Sequence, residues 1–173
     1  MSDVLLYLLV PDYLAQWYAN ECRRDEHAQE DHYDITVYHF PDPVKPIRES
    51  AESKILQLYL TKQPSKPPQH GLYNLAIVIP YYRNRDPRVY SYLTPAARGL
   101  LYRTMRTRFE IDLWTGVHTI EALGSRKDLT ITAWMEKHGI EYTDTNYNSV
   151  LKVYDRMKES YRRAENRKKS KKK

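Results

Sequence analysis

The chain has 173 residues, of which 41% are apolar and 29% charged, which suits one domain or two small ones sharing a core. Its single cysteine, Cys22, excludes an intramolecular disulfide and fits a reducing, cytoplasmic setting. No apolar run nears the ~20 residues needed to cross a bilayer, so a membrane partner is not expected. Charge is uneven. Residues 1–93 carry 10 Lys and Arg against 12 Asp and Glu, net −2, whereas residues 94–173 carry 18 against 10, net +8. Residues 143–173 alone carry 11 against 4, net +7. Such asymmetry is the footprint of a protein that binds nucleic acid or another anionic surface.

In chain order, Val4–Val10 (VLLYLLV) is short, apolar and stopped by Pro11, which predicts a buried strand. It lacks a basic leader and a small-residue cleavage site and does not read as a signal peptide. Asp12 can cap a helix over Tyr13–Arg23, with Leu14, Trp17 and Tyr18 on one face and Cys22 as a small buried hydrophobe. The acidic stretch 23–34 reads as a loop, and Ile35–Phe40 (ITVYHF) as a second strand. A helix starting at Glu49 or Ser50 and running to about Thr61 follows, then a Pro-rich loop, then a third strand at Leu75–Ile79. That strand is apolar on both faces and belongs in the middle of the sheet.

After Pro80, Tyr81, Tyr82, Tyr90 and Tyr92 alternate with Arg83, Arg85 and Arg88. This loop could stack bases, but a domain-joining loop is the simpler reading. Thr94-Pro95 is a helix start, with Thr as N-cap and Pro in the first turn. Ala97, Leu100 and Leu101 share one face, while Phe109, Leu113, Val117 and Ile120 lie roughly opposite. The pattern predicts a bend, a break near Phe109–Asp112, or a change of packing partner. A short helix over Leu129–His138 should stop at Gly139, and Asp144 can cap a last helix through Arg163. Residues 167–173 read as a disordered basic tail. The fold class expected is α+β: a sheet of about three strands with packed helices in 1–93, leading into a helical basic module at 94–166.

Enzyme signals are sparse. There is no glycine-rich phosphate loop, nucleophile elbow, HExxH or cysteine pair. Glu26, His27, Glu30, Asp31, His32 and Asp34 crowd together, but His27 and His32 are five apart, which is wrong for one helical face; a solvated acidic loop is expected. His118 and His138 sit near apolar positions and read as core histidines. No catalytic residue, metal or cofactor is assigned.

The helix pair spanning 129–163 is the functional candidate. A reading helix needs an apolar face for its own domain and an outer face of amides, hydroxyls and cations. Val150, Tyr154, Met157 and Tyr161 would form the first. Asn146, Asn148 and Ser149 would meet bases, with Lys152, Arg156 and Arg163 on the same outer surface for phosphates. A second basic face combines Arg98, Tyr102 and Arg106 at i, i+4, i+8.

The stretches AWMEKHGI (133–140) and TNYNSVLKVYDRM (145–157) resemble the end of helix-turn-helix regulators carried by phages and mobile elements. The whole chain is similar to small basic DNA-binding proteins of such elements. Two features differ from the compact motif: Met135 stands where a small residue is usual, and IEYT (140–143) lengthens the turn. The resemblance implies a DNA-binding regulator or accessory factor. RNA is the alternative polymer, and an exposed strand edge at Val4–Val10 or Ile35–Phe40 would suit a homodimer. The rival reading is a protein-interaction or scaffold module with a non-specific basic tail.

Overall fold

The computed structural model describes residues 3–26, 42–65 and 72–170. These residues form five helices and a small two-stranded antiparallel sheet, an α+β arrangement dominated by helix. They divide into two compact units, Met1–Thr107 and Arg108–Lys173. The division falls later than the change of texture at Pro80 and the helix start at Thr94.

In the first unit, β1 (Leu5–Leu8) pairs with β2 (Leu75–Val78) in the register Leu5 with Val78 to Leu8 with Leu75. Val44 bridges Ile77 on the other side of β2, giving its N–H to the Ala76 carbonyl (2.9 Å) and accepting from the Val78 N–H (2.9 Å). β2 is thus flanked on both sides, as its two apolar faces predict, but Val44 supplies only an isolated bridge. The expected strand Ile35–Phe40 lies outside the described residues, as does most of the acidic stretch, including His27 and His32. The three-stranded expectation therefore reduces to two strands among the described residues.

Helix α1 (Asp12–Glu26) buries Leu14, Trp17, Tyr18 and Cys22. Its first N–H groups bond the Pro11 carbonyl, so Asp12 sits inside the first turn rather than capping it. Asn74 clamps this corner. Its carboxamide accepts from the Val10 N–H (3.0 Å) and donates to the Val10 carbonyl and the Asp12 carboxylate (2.6 Å each). Helix α2 (Ala51–Tyr59) starts at the predicted cap, with Ser50 Oγ accepting from the Ser53 N–H at 3.1 Å.

Helix α3 (Pro95–Ala122) begins at the predicted Thr94-Pro95 signal, with Thr94 Oγ1 accepting from the Ala97 N–H at 3.3 Å. It is continuous through Phe109–Asp112, where a break or bend was one expectation. The reason lies in its burial pattern. Ala97, Leu101, Met105, Phe109, Leu113 and Val117 are all buried and all four residues apart. Each such step advances about 40° beyond a full turn, so the row winds about 200° around the helix. A straight helix can bury this row if its partner changes along its length. The boundary between units falls at Thr107–Arg108, within α3.

In the second unit, α4 (Lys127–Lys137) buries Ile131, Trp134 and Met135. It ends in the expected glycine stop. Gly139 has φ +66°, its N–H bonds the Glu136 carbonyl (3.1 Å), and the Ile140 N–H reaches back to Met135 (2.9 Å). Ile140 is buried against this turn. Gly116 of α3 makes room for α4: a Cβ built there would lie 2.5 Å from the Trp134 ring. Trp134 also meets Phe109 edge-on at 5.6 Å. Helix α5 (Asp144–Ser170) is capped by Thr143, not Asp144, with Thr143 Oγ1 accepting from the Asn146 N–H at 3.1 Å. It runs well past Arg163, so four residues expected in a disordered tail, Arg167–Ser170, are helical.

Candidate nucleic-acid interface

Helix α5 has the two-faced character its sequence predicts. Val150, Val153 and Tyr154 are buried, Met157 is partly so, and α4 packs against this helix. Asn148, Lys152 and Arg156 are exposed, and Ser149 is half-buried. Asn146 departs from its expected place. It is buried, and its carboxamide donates to the Glu141 carbonyl at 3.0 Å, tying down the 138–143 turn. The Thr143 cap directs it inward: Asn146 shares the side of α5 that carries Val150.

Charge pairing then sorts the cations. Asp155 takes Lys127 of α4 (3.0 Å), Glu159 takes Arg163 (2.5 Å), and Glu165 takes Lys168 (3.1 Å). Lys158 bonds Glu121 of α3 at 2.5 Å. Lys152, Arg156, Arg162, Arg167 and Lys169 have no acidic partner among the described residues. Arg163, expected as a phosphate contact, is thus engaged by Glu159. Lys152, Arg156 and Arg167 follow one side of α5 over about 22 Å, at 1.5 Å per residue. From Lys158 onward nearly every position of α5 is exposed. A helix polar on all sides is held by its own i, i+3 and i, i+4 pairs, here Arg163 with Glu159 and Lys168 with Glu165.

Glu121 fastens α5 to α3. Its carboxylate accepts from both Lys158 Nζ and the buried Tyr154 hydroxyl. The Lys158 ammonium and then the Tyr154 hydroxyl hold the Glu121 carboxyl below its ordinary value. Burial, and then the Glu121 carboxylate, push the Tyr154 phenol well above its own. Nearby, Trp114 stacks on His118 and touches Tyr154 and Tyr161. The sequence reading placed His118 in the core and did not foresee this cluster. The i, i+4 spacing of Trp114 and His118 was its only visible signal.

The second basic face belongs to the first unit and is spent differently. Arg98 donates from Nε to the Leu93 carbonyl (3.2 Å) and from Nη1 to the Tyr7 carbonyl (3.1 Å). Val4, three residues earlier, accepts at its carbonyl from the N–H of Ile79, just past β2, so Tyr7 turns its backbone groups to the outer edge of β1. Arg98 therefore occupies part of the edge expected to support a dimer. Tyr102 and Arg106 are half-buried on α3. The Tyr/Arg loop is likewise stapled down. The Tyr82 hydroxyl donates to the Ser53 carbonyl (3.0 Å), and Arg85 donates to the Leu58 and Leu60 carbonyls at the end of α2 (3.2 and 2.8 Å). His138 is a core histidine as expected, with Nδ1 3.4 Å from an Asp112 oxygen. None of the described helices is long and apolar enough to cross a membrane. Comparison with family models, curated proteins and solved structures found no match to the chain.

Proposed function

We propose that this is a nucleic-acid-binding protein that docks on DNA through the outer face of α5, as a regulator or accessory factor of the kind found in mobile elements. One observation carries the reading. Lys152, Arg156 and Arg167 have no acidic partner among the described residues and follow one exposed side, beside Asn148, and along the first half of the helix the opposite side is buried. A helix held by its apolar face and presenting amide and cation outward meets the physical requirements of a groove reader. The test is a duplex-binding titration of Lys152→Glu/Arg156→Glu against the parent. Loss of binding by more than tenfold with an unchanged melting temperature supports the reading; unchanged affinity overturns it.

A protein-interaction module is the second reading, and α3 carries an observation for it. Ile111, Thr115 and Thr119, with Leu123 just past the helix end, form an exposed row free of charge. The Thr115 and Thr119 hydroxyls donate back to the Ile111 and Thr115 carbonyls (2.8 and 3.1 Å). The row can thus show methyl groups to a partner chain, including a second copy. Sedimentation of Ile111→Glu against the parent separates the two readings: a self-associating parent and a monomeric variant would favour this one.

A further inference from the structure

Building on the nucleic-acid reading above, we propose that Trp114, His118 and Tyr161 form a stacking platform for unpaired bases, so that the bound polymer includes a single-stranded segment. Trp114 and His118 stand one turn apart on α3, with ring centroids 4.0 Å apart and planes 16° from parallel. Tyr161 reaches across from α5 to lie 5.4 Å from each. Tyr154 backs the indole at 5.8 Å, and its hydroxyl is held by Glu121. The rings are thus braced from behind, and His118 Nδ1 is buried without a hydrogen-bond partner, so stacking rather than polar bonding orients the imidazole.

The cluster is in part exposed to solvent. Tyr161 is 49% exposed, and Trp114 and His118 are partly exposed, whereas the other two tryptophans, Trp17 and Trp134, are buried. The charges around the platform select the occupant. Lys158 and Arg162 lie beside Tyr161 on α5, and Arg162 has no acidic partner among the described residues. The nearby carboxylates of Glu121 and Glu165 are already paired with Lys158 and Lys168. An apolar protein partner would bury Arg162 without compensation. A polyanion whose bases stack and whose phosphate meets Arg162 satisfies both features. Every base has a flat face, so the platform takes unpaired bases with little sequence preference.

The experiment is a tryptophan-fluorescence titration of the full chain with a twelve-residue oligothymidylate and, separately, a duplex of equal length. Because Trp17 and Trp134 are buried, quenching by a stacked base reports on Trp114. Saturable quenching by oligothymidylate is expected. Tyr161→Ala should weaken that binding on the order of tenfold, within the roughly 5- to 150-fold range for losing one stacked base. Tyr161→Phe should restore it, and duplex affinity should hold in both variants. Oligothymidylate binding without quenching, or with Tyr161→Ala indistinguishable from the parent, overturns the platform and leaves the duplex reading intact. Failure of both polymers to bind overturns the nucleic-acid reading and the platform with it. The quenching measurement on the parent needs no variant, so it holds even if Tyr161→Ala is unstable.

Discussion

Single residues settle how the second unit is packed and which of its side chains are free. At Gly116 the absence of a Cβ is a requirement of the fold, because the Trp134 ring occupies that space. Gly116→Ala would gain up to ~1 kcal/mol of helix propensity, but must displace a buried indole. We expect net destabilisation of about 1–3 kcal/mol, as for overpacked cores, read by thermal or urea melting. The two sides of α5 should respond in opposite ways. Val150→Ala should cost on the order of 1–2 kcal/mol of stability, whereas Asn148→Ala should stay within about 0.5 kcal/mol. If Asn148 meets a base, its loss should weaken the preferred duplex by about 1–3 kcal/mol, measured by competition between sequences. Glu121 gives a pH test. Its carboxyl is held below the ordinary value of 4.5, so the unfolded chain takes up that proton first. Its contribution is complete above pH 4.5 and is lost as the pH falls through the lowered folded value. The stability gap between the parent and Glu121→Gln, seen at neutral pH, should therefore narrow in acid when both are melted across that range.

At the scale of elements, α3 is unbroken where a break was one expectation, and α5 runs past its expected end at Arg163. α3 runs unbroken past Phe109–Asp112, with buried residues recurring every four positions in a row that winds around the helix. Of the three expectations for its two apolar sets, the break is excluded by the continuous helix. α5 persists beyond its core contacts on charge pairs and on the favourable placing of Arg167, Lys168 and Lys169 at its C-terminus. Exposed pairs of this kind contribute only about 0.3–0.5 kcal/mol each. Deleting residues 167–173 should therefore leave the melting temperature nearly unchanged and shorten the helix signal in circular dichroism. If α5 holds a polyanion, the same deletion should weaken duplex binding.

For the whole molecule, the five α5 cations with no acidic partner among the described residues set a scale for the salt dependence of binding. If each neutralises one phosphate, log K should fall with log salt at a slope near −4.5 for duplex, from about −0.9 per contact, and near −3.5 for single strands. Titrations at three salt concentrations measure this, and a flat dependence would remove the electrostatic basis of the reading. The asymmetry behind the estimate, net −2 before residue 94 and +8 after it, is written in the composition. So are the caps at Ser50 and Thr94, the glycine stop at Gly139 and the apolar face of α1, because each depends on residues within one or two turns of one another. What composition and spacing could not decide is which exposed-looking residues are already spent. Arg98 reads as a free cation until Tyr7, 91 positions away, is brought beneath it. Nothing in the local sequence marks Asn74, which clamps Val10 across 64 positions. The need for glycine at 116 appears only once Trp134 occupies the space a Cβ would take. Capping, periodicity and charge are local and survive in one dimension, whereas pairing, edge protection and close approach depend on distant parts of the chain and exist only once it has folded.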